Sequence, residues 1–360
     1  MTRSQQRRNR RIAVMAGVLV AVLAVASSLF FFVFKGDSAQ AQLPEKIRIG
    51  YFANVTHGSA LVALQQQLFE KNLPGVTIEY AIFPAGPAAI EAFKGGALDI
   101  SYIGPNPAIS GYATTNGELL RIVSGATSGG AQFVVRPGVT ASNLKGKNFA
   151  TPQLGNTQDV ALKDYLTSKG LTFGQGGDVA ITPTENATTL TLFQQGKIDG
   201  AWVPEPWASR LVLEGNGTVL VNEADLWQNG DFITTNIAAS STFIDKYPAA
   251  VKAVLAANLE ANAFIAAQPE AAKALVQTQL KKDTGKSLST AVIDRAWKNL
   301  VFTHQPLAST LQKNADGAVA AGVLKLSSTG LKGIYNLAPL NEVLKSKGLA
   351  TVSSAGLGKE

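Results

Sequence analysis

Cysteine is absent from this chain, and His57 and His304 are its only imidazoles. Without thiols there can be no disulfide, thiolate metal site, cysteine nucleophile or lipidated N-terminal cysteine. Two histidines far apart in sequence also argue against a histidine-rich metal site. The signatures G-x-x-x-x-G-K-[ST], G-x-S-x-G and H-E-x-x-H are missing, as is G-x-G-x-x-G after the first predicted strand. No nucleophile–base pair is evident, so no catalytic residue, cofactor or metal is expected. Charged residues are few, at 16%, against 46% hydrophobic. That balance excludes a disordered, collagen-like or polytopic membrane chain and leaves enough apolar material for a sizeable core. At 360 residues, two lobes are the natural reading.

The net charge of +7 is unevenly placed. Residues 1–44 hold six Lys/Arg against one acid, leaving 26 against 24 beyond. So small an excess gives no electrostatic footprint for nucleic acid. Arg3, Arg7, Arg8, Arg10 and Arg11 precede an uncharged run of 23 residues, Ile12 to Phe34. A positive stretch followed by an apolar one is the plan of a secretory signal, and Ala39-Gln40-Ala41 offers a small-x-small cleavage site. The run is also long enough to remain as a membrane anchor, with its arginines cytoplasmic. Either outcome exports the remainder to the periplasm or to the outer face of the cytoplasmic membrane.

From Glu45 onward the pattern is that of an α/β protein. Ile47, Ile49 and Tyr51 alternate as in a strand, Gly58 to Lys71 reads as a helix, and Val76 to Ile82 alternates again. A helix from Pro87, a strand at Ile100–Ile103, a helix from Pro107, and strands at Leu120–Val123 and Gln132–Val135 follow. This β-α-β-α order predicts a mostly parallel sheet with helices on both faces. The grammar restarts at Asn148, with helices at Thr157–Lys169 and Ala187–Gln195, and Phe232 to Ala238 reads as a strand returning to the first lobe. The expected organisation is a leader over 1–44, a discontinuous first lobe over 45–135 plus 233–360, and an inserted second lobe over 136–232. Crossings near Val135–Pro137 and Phe232–Asn236 leave a cleft between the lobes. Ligands of open α/β sheets sit beyond the C-terminal strand ends, so the loops there matter most.

Five such loops stand out. Gly104-Pro105-Asn106-Pro107-Ala108 places Asn106 as a helix N-cap. Thr127-Ser128-Gly129-Gly130 offers close backbone approach and a hydroxyl, or a simple turn. Gly155-Asn156-Thr157-Gln158-Asp159 opens a helix in the second lobe. Two helix N-termini, one per lobe, can then face one anion with no lysine or arginine. Asp159 either orients a donor, binds an amine on the ligand, or compensates the helix dipole. In Trp202-Val203-Pro204-Glu205-Pro206-Trp207, two prolines and two tryptophans form a stiff apolar wall, and Trp207 can pack on an alkyl chain. Glu205 either holds the lobes shut or caps a helix. In Asn54-Val55-Thr56-His57-Gly58, Thr56 or His57 can reach a ligand, although a lone histidine is as readily structural.

These loops together resemble the substrate-binding proteins of ABC importers for aliphatic sulfonates, taurine and nitrate. The carrying segments are Gly50-Tyr51-Phe52 with Thr56-His57, Gly104 to Ala108, Ser128 to Gly130, GNTQDVA at 155–161, GAWVPEPW at 200–207, and Phe302-Thr303 with Pro306 to Ser309. The resemblance covers about residues 45–350. It implies a two-lobed periplasmic-binding-protein type II fold with an interlobe cleft and two hinge strands, monomeric and partnered by an ABC permease and ATPase. It also implies that Asn106, Ser128, Gly129, Gly130, Thr157 and Gln158 contact an oxyanion head group, with Trp207 and His57 beside the organic part. The departure is at the N-terminus, where many relatives carry a lipid-attachment cysteine. Alternatives within the transport class are nitrate, thiamine-pyrimidine or aromatic ligands. A thiamine-pyrimidine synthase needs a cysteine-rich iron motif that this chain lacks, and a sensor ectodomain is the third class.

Overall fold

Inward-facing Ile47 and Ile49 set the first strand, and parallel neighbours form on either side of it. The computed structural model describes residues 42–326 and 330–360. The expected signal or anchor at residues 12–34 lies outside them. In chain order the elements begin with β1 (Lys46–Tyr51), α1 (Gly58–Gln65), α2 (Leu68–Asn72), β2 (Thr77–Ile82), α3 (Gly86–Lys94), β3 (Ile100–Ile103), α4 (Pro105–Thr114), β4 (Leu120–Gly129) and β5 (Ala131–Val135). There follow β6 (Asn148–Thr151), α5 (Thr157–Ser168), β7 (Ala180–Pro183), α6 (Asn186–Gln194), β8 (Gly200–Pro204), α7 (Trp207–Leu213) and β9 (Thr218–Asn222). The chain returns through β10 (Ile233–Ser240) and continues as α8 (Ser241–Lys246), α9 (Pro248–Ala267), α10 (Pro269–Thr284), α11 (Thr290–Lys298), β11 (Leu300–Phe302), α12 (Leu311–Ala320), β12 (Tyr335–Asn336), α13 (Ala338–Ser346) and β13 (Gly358–Lys359).

Two sheets result. The first has the order β13-β12-β4-β10-β3-β1-β2, with β11 also on β4, and the second has the order β7-β6-β8-β5-β9. We use "lobe" for each sheet with its covering helices. Both sheets are mixed rather than mostly parallel. β10 runs antiparallel to β3 and β4, and β5 runs antiparallel to β8 and β9. The reason is topological: a strand that arrives from the other lobe enters its sheet from the opposite end.

The second sheet is covered on both faces, as alternation requires. Phe133, Phe149 and Trp202 pack with Tyr165 on one face, while Val134, Ala150, Ala201 and Phe193 pack on the other. Trp202 is therefore core. It stacks on Phe133 at 5.3 Å and donates its indole N–H to Glu223 at 2.7 Å. In the first lobe α9 is 20 residues long and apolar enough to span a bilayer, yet half of it is buried and its Val251, Val254 and Leu255 lie in the core.

One expected helix is broken: Gly58 to Lys71 divides into α1 and α2 at Gln67, whose φ is +53°. The first crossing also lies earlier than expected. β5 already belongs to the second sheet, so the chain changes lobes at Gly130. Gly129 and Gly130 both have positive φ (78° and 77°), and a Cβ on Gly129 would lie 2.5 Å from the Asn299 carbonyl oxygen. Glycine alone meets both demands. The return crossing passes alongside: Gly129 N–H donates to Phe232 O at 3.2 Å, and the Thr234 hydroxyl donates to Gly129 O.

Candidate functional site

Five helix N-termini from both lobes converge on one small cavity. Its lining includes His57, Ala85, Gly104 and Asn156, which are the N-cap residues of α1, α3, α4 and α5, together with Asn186, the first residue of α6. Thr157 and Gln158 of α5, Asn54, Thr56 and hinge residues Thr234 and Thr235 complete the polar wall. Among the described residues, no lysine, arginine, aspartate or glutamate lines it. Electropositive character therefore comes from backbone N–H groups and helix dipoles, each tip worth about 0.3–1 kcal/mol toward an anion when exposed and more when buried.

The donors are well defined at α5. The Asn156 backbone is extended, at φ −71° and ψ 165°, and its side chain makes no capping bond. Thr157 and Gln158, the first two residues of the helix, have N–H groups with no partner among the described residues. The Thr157 hydroxyl is likewise buried without a partner, and so is the Asn186 amide oxygen, which is an acceptor. His57 accepts the Phe52 N–H at Nδ1, at 3.2 Å. A ring nitrogen that accepts carries no proton, so Nε2 bears it as a donor. Burial lowers the His57 pKa to about 3, so the imidazole is neutral throughout the physiological range.

The lobes meet closely around this cavity. A Cβ on Gly104 of α4 would lie 2.5 Å from the Thr157 hydroxyl across the cleft. The free volume is about 20 Å³, room for about one water. Trp207 Nε1–H spans the cleft to Asn54 Oδ1 at 2.8 Å.

Of the expected contact residues, the structure brings His57, Thr157 and Gln158 to the cavity. Asn106 is corrected: the N-cap of α4 is Gly104, so Asn106 lies inside the first turn. There its side chain donates to Asn314 O at 2.9 Å and faces a different pocket. Prolines at 105 and 107 carry no N–H, so this tip retains far fewer donors than that of α5. Ser128, Gly129 and Gly130 are also off the cavity, because β4 extends to Gly129 and these residues form the crossing. Asp159 is fully buried and accepts from Thr151 Oγ1 at 3.0 Å, Gly155 N–H at 2.8 Å and Lys163 Nζ at 2.7 Å. It braces the loop that presents the helix tip and is spent on that task.

Glu205 is buried between α7 and the end of α11. Its carboxylate accepts the Ser209 N–H at 3.0 Å, which caps α7. It also accepts Asn299 Nδ2 at 2.7 Å and pairs with Arg295 at 3.2 Å, which ties α7 to α11 and its end. Arg295 in turn donates to Ser209 Oγ and Gln132 Oε1. Burial pushes the Glu205 carboxyl above the ordinary range, although those donors and the guanidinium oppose it. Trp207 stands beside the cavity rather than on its wall and stacks under Arg210, 4.9 Å from the ring centre. Asn186, Thr234 and Thr235 were not singled out in the sequence. Asn186 was findable, because it opens a helix just past a second-lobe strand end. The threonines sit inside a returning strand and carried no signal.

A family profile described as "NMT1-like family" matches residues 40–280. A protein of Escherichia coli (strain K12), provisionally named an aliphatic sulfonates-binding protein, is 30% identical over 268 residues, covering 73% of this chain and 79% of the relative. The taurine-binding periplasmic protein of the same organism is 27% identical over 213 residues, covering 59% of this chain and 64% of the relative. Among solved structures, the periplasmic aliphatic sulphonate binding protein of Escherichia coli superposes with a TM-score of 0.62 at 28% identity, covering 78% of this chain and 89% of that one.

Proposed function

The chain belongs to the NMT1-like family, whose solved relatives share its two-lobed periplasmic-binding-protein fold, and from that premise we propose that it is the solute-binding protein of an ABC importer. Its ligand is a small molecule with an oxyanion head, best matched by a sulfonate. The observation that carries this reading is the convergence of helix N-termini on a cavity free of charged side chains. A sulfonate is ionised at every physiological pH, and neutral preorganised N–H and O–H donors can replace its hydration shell. Thr157, Gln158 and His57 supply those donors. Asp159 and Glu205 act one step back, on the loop and on the lobe contact. On this reading the protein binds and delivers its ligand, and ATP is used by partner subunits.

The moving bodies are residues 43–129 with 233–360 and residues 131–232, hinged at Gly129–Gly130 and Phe232–Thr234. A cavity with room for one water admits no sulfonate until the lobes part, and ligand contacts from both sides then favour closure. Residues 12–34 export the chain, as cleaved signal or retained anchor. Titration calorimetry of the purified protein with methanesulfonate, taurine, nitrate and an uncharged pyrimidine tests the proposal. Saturable binding of a sulfonate supports it. Binding of the pyrimidine alone overturns it.

A further inference from the structure

A buried carboxyl sits where the two lobes meet, apart from the ligand cavity. Glu223 lies in the connection between β9 and β10 and is 2% exposed. It accepts the Trp202 indole N–H at 2.7 Å and borders a small cavity of about 40 Å³, which shares no lining residue with the ligand cavity. Trp227 of the same connection and Asp164 of α5 wall this space from the second lobe, and Lys313, Asn314 and Gly317 of α12 close it from the first. Leu311, Ala315 and Ala318 anchor α12 in the first-lobe core. Lys313 Nζ lies 4.3 Å from the Trp227 ring centre and donates to Leu226 O at 2.6 Å. Trp227 in turn stacks at 5.7 Å on Phe232, at the return hinge. Rotation about that hinge moves the connection against α12 and lifts one wall off the carboxyl.

We propose that closing the lobes takes up a proton at Glu223, so that pH biases the balance between open and closed forms. The inference rests on the hinged-lobe reading above and adds a regulatory input to it. Parting the lobes hydrates the carboxyl, which then ionises near its ordinary 4.5, whereas burial in the closed form raises its pKa to about 7. The charged groups facing the same cavity are Lys313 from α12 and Asp164 from α5. Trp202 beneath is neutral, and Asp225, two residues on, is exposed. Lys313 favours the ionised form, but desolvation is the larger effect. A form whose carboxyl holds its proton more tightly gains as pH falls. Closure, and capture of a ligand with it, is therefore favoured on the acid side of neutrality and weakens as pH rises through about 7.

The test is calorimetry of the exported chain with methanesulfonate at pH 6.5 to 8.5, where His57 is neutral, in two buffers of different protonation enthalpy. The parent should bind about three- to fivefold more tightly at pH 6.5 than at pH 8.5 and take up about half a proton per ligand at pH 7. Glu223→Gln mimics the protonated carboxyl, so at pH 8.5 it should bind as the parent does at pH 6.5, with the slope and the proton uptake gone. Lys313→Met keeps an apolar wall but removes the cation, and should move the midpoint of proton uptake to higher pH. Glu205, whose guanidinium partner is Arg295, would not respond to that change. Affinity independent of pH, in a parent that binds methanesulfonate without proton uptake, overturns the coupling and leaves the proposed function standing. Uptake that survives Glu223→Gln and does not move in Lys313→Met belongs to another group and overturns it too. If methanesulfonate does not bind, the sulfonate reading fails, and small-angle scattering of the ligand-free parent decides the coupling. A smaller radius of gyration at pH 6.5 than at pH 8.5, abolished by Glu223→Gln, supports it, and equal radii overturn it.

Discussion

Buried ionisable residues do two different things here. His57 has lost its charge to burial and carries its one proton on Nε2, whereas Glu223 keeps a proton more tightly than an exposed carboxyl would. Glu223 is fully buried beneath Trp202, and burial raises its pKa to about 7 from an ordinary 4.5, against the pull of two indole donors and Lys313. A carboxyl with a folded pKa above its unfolded one favours folding at low pH, and the advantage is lost as pH rises through about 7. His57 works in the opposite sense, but its contribution is lost only as pH falls below 6.5. His57 is therefore silent between pH 6.5 and 8.5, while Glu205, also pushed upward by burial, acts in the same direction as Glu223. The parent should melt at a lower temperature at pH 8.5 than at pH 6.5. Glu223→Gln, which keeps an acceptor for the Trp202 indole, should flatten that difference in a calorimetric scan. An unchanged slope would show that Glu223 does not titrate there. None of this was legible in the sequence, since Glu223 lies in an unremarkable connection, and its environment is made by a strand over twenty residues away.

Elements carry most of what the sequence did reveal. Helix tips at strand ends were readable because Gly, Asn and Pro punctuate them. Gly155-Asn156-Thr157 opens α5 where expected, and Ile100–Ile103 matches its expected bounds. The Asn106 loop was misread by two residues, because proline at 105 already satisfies the first helical position. That shift moved a candidate contact from the cleft into the first turn. The glycine pair was read as a loop because positive-φ residues end a strand in sequence, whereas here they bend the chain between sheets. The α5 tip gives the sharpest test. Asn156 is already extended, the conformation proline demands of its predecessor, and Thr157 is the first helical residue, where proline is best tolerated. Thr157→Pro should leave the melting temperature nearly unchanged while removing one N–H and one hydroxyl. Charge-assisted bonds of this kind are worth about 1.5–3 kcal/mol each, so sulfonate affinity should fall by at least about tenfold in calorimetry. Undiminished affinity would mean that this helix does not hold the anion.

At the scale of the whole molecule, affinity depends on how much of the population is closed. The lobe contact is held by Glu205, Arg295, Asn299 and the Trp207–Asn54 bond, all independent of any ligand. Such contacts raise apparent affinity by favouring the competent form, because the observed Kd scales inversely with the competent fraction. Arg295→Met tests this without stranding a charge. Glu205 would retain Asn299 and the Ser209 N–H, and a carboxyl already pushed upward takes a proton readily. Losing a charged hydrogen bond of about 1.5–3 kcal/mol from the closed form alone should shift the ligand-free protein toward open. Small-angle scattering should then give a larger radius of gyration without ligand, converging on the parent value at saturating sulfonate. Calorimetry should show a Kd raised by about tenfold or more. If the radius and the Kd both match the parent, the Glu205–Arg295 pair braces α7 and α11 within a rigid unit, and the hinge must lie elsewhere than at Gly129–Gly130.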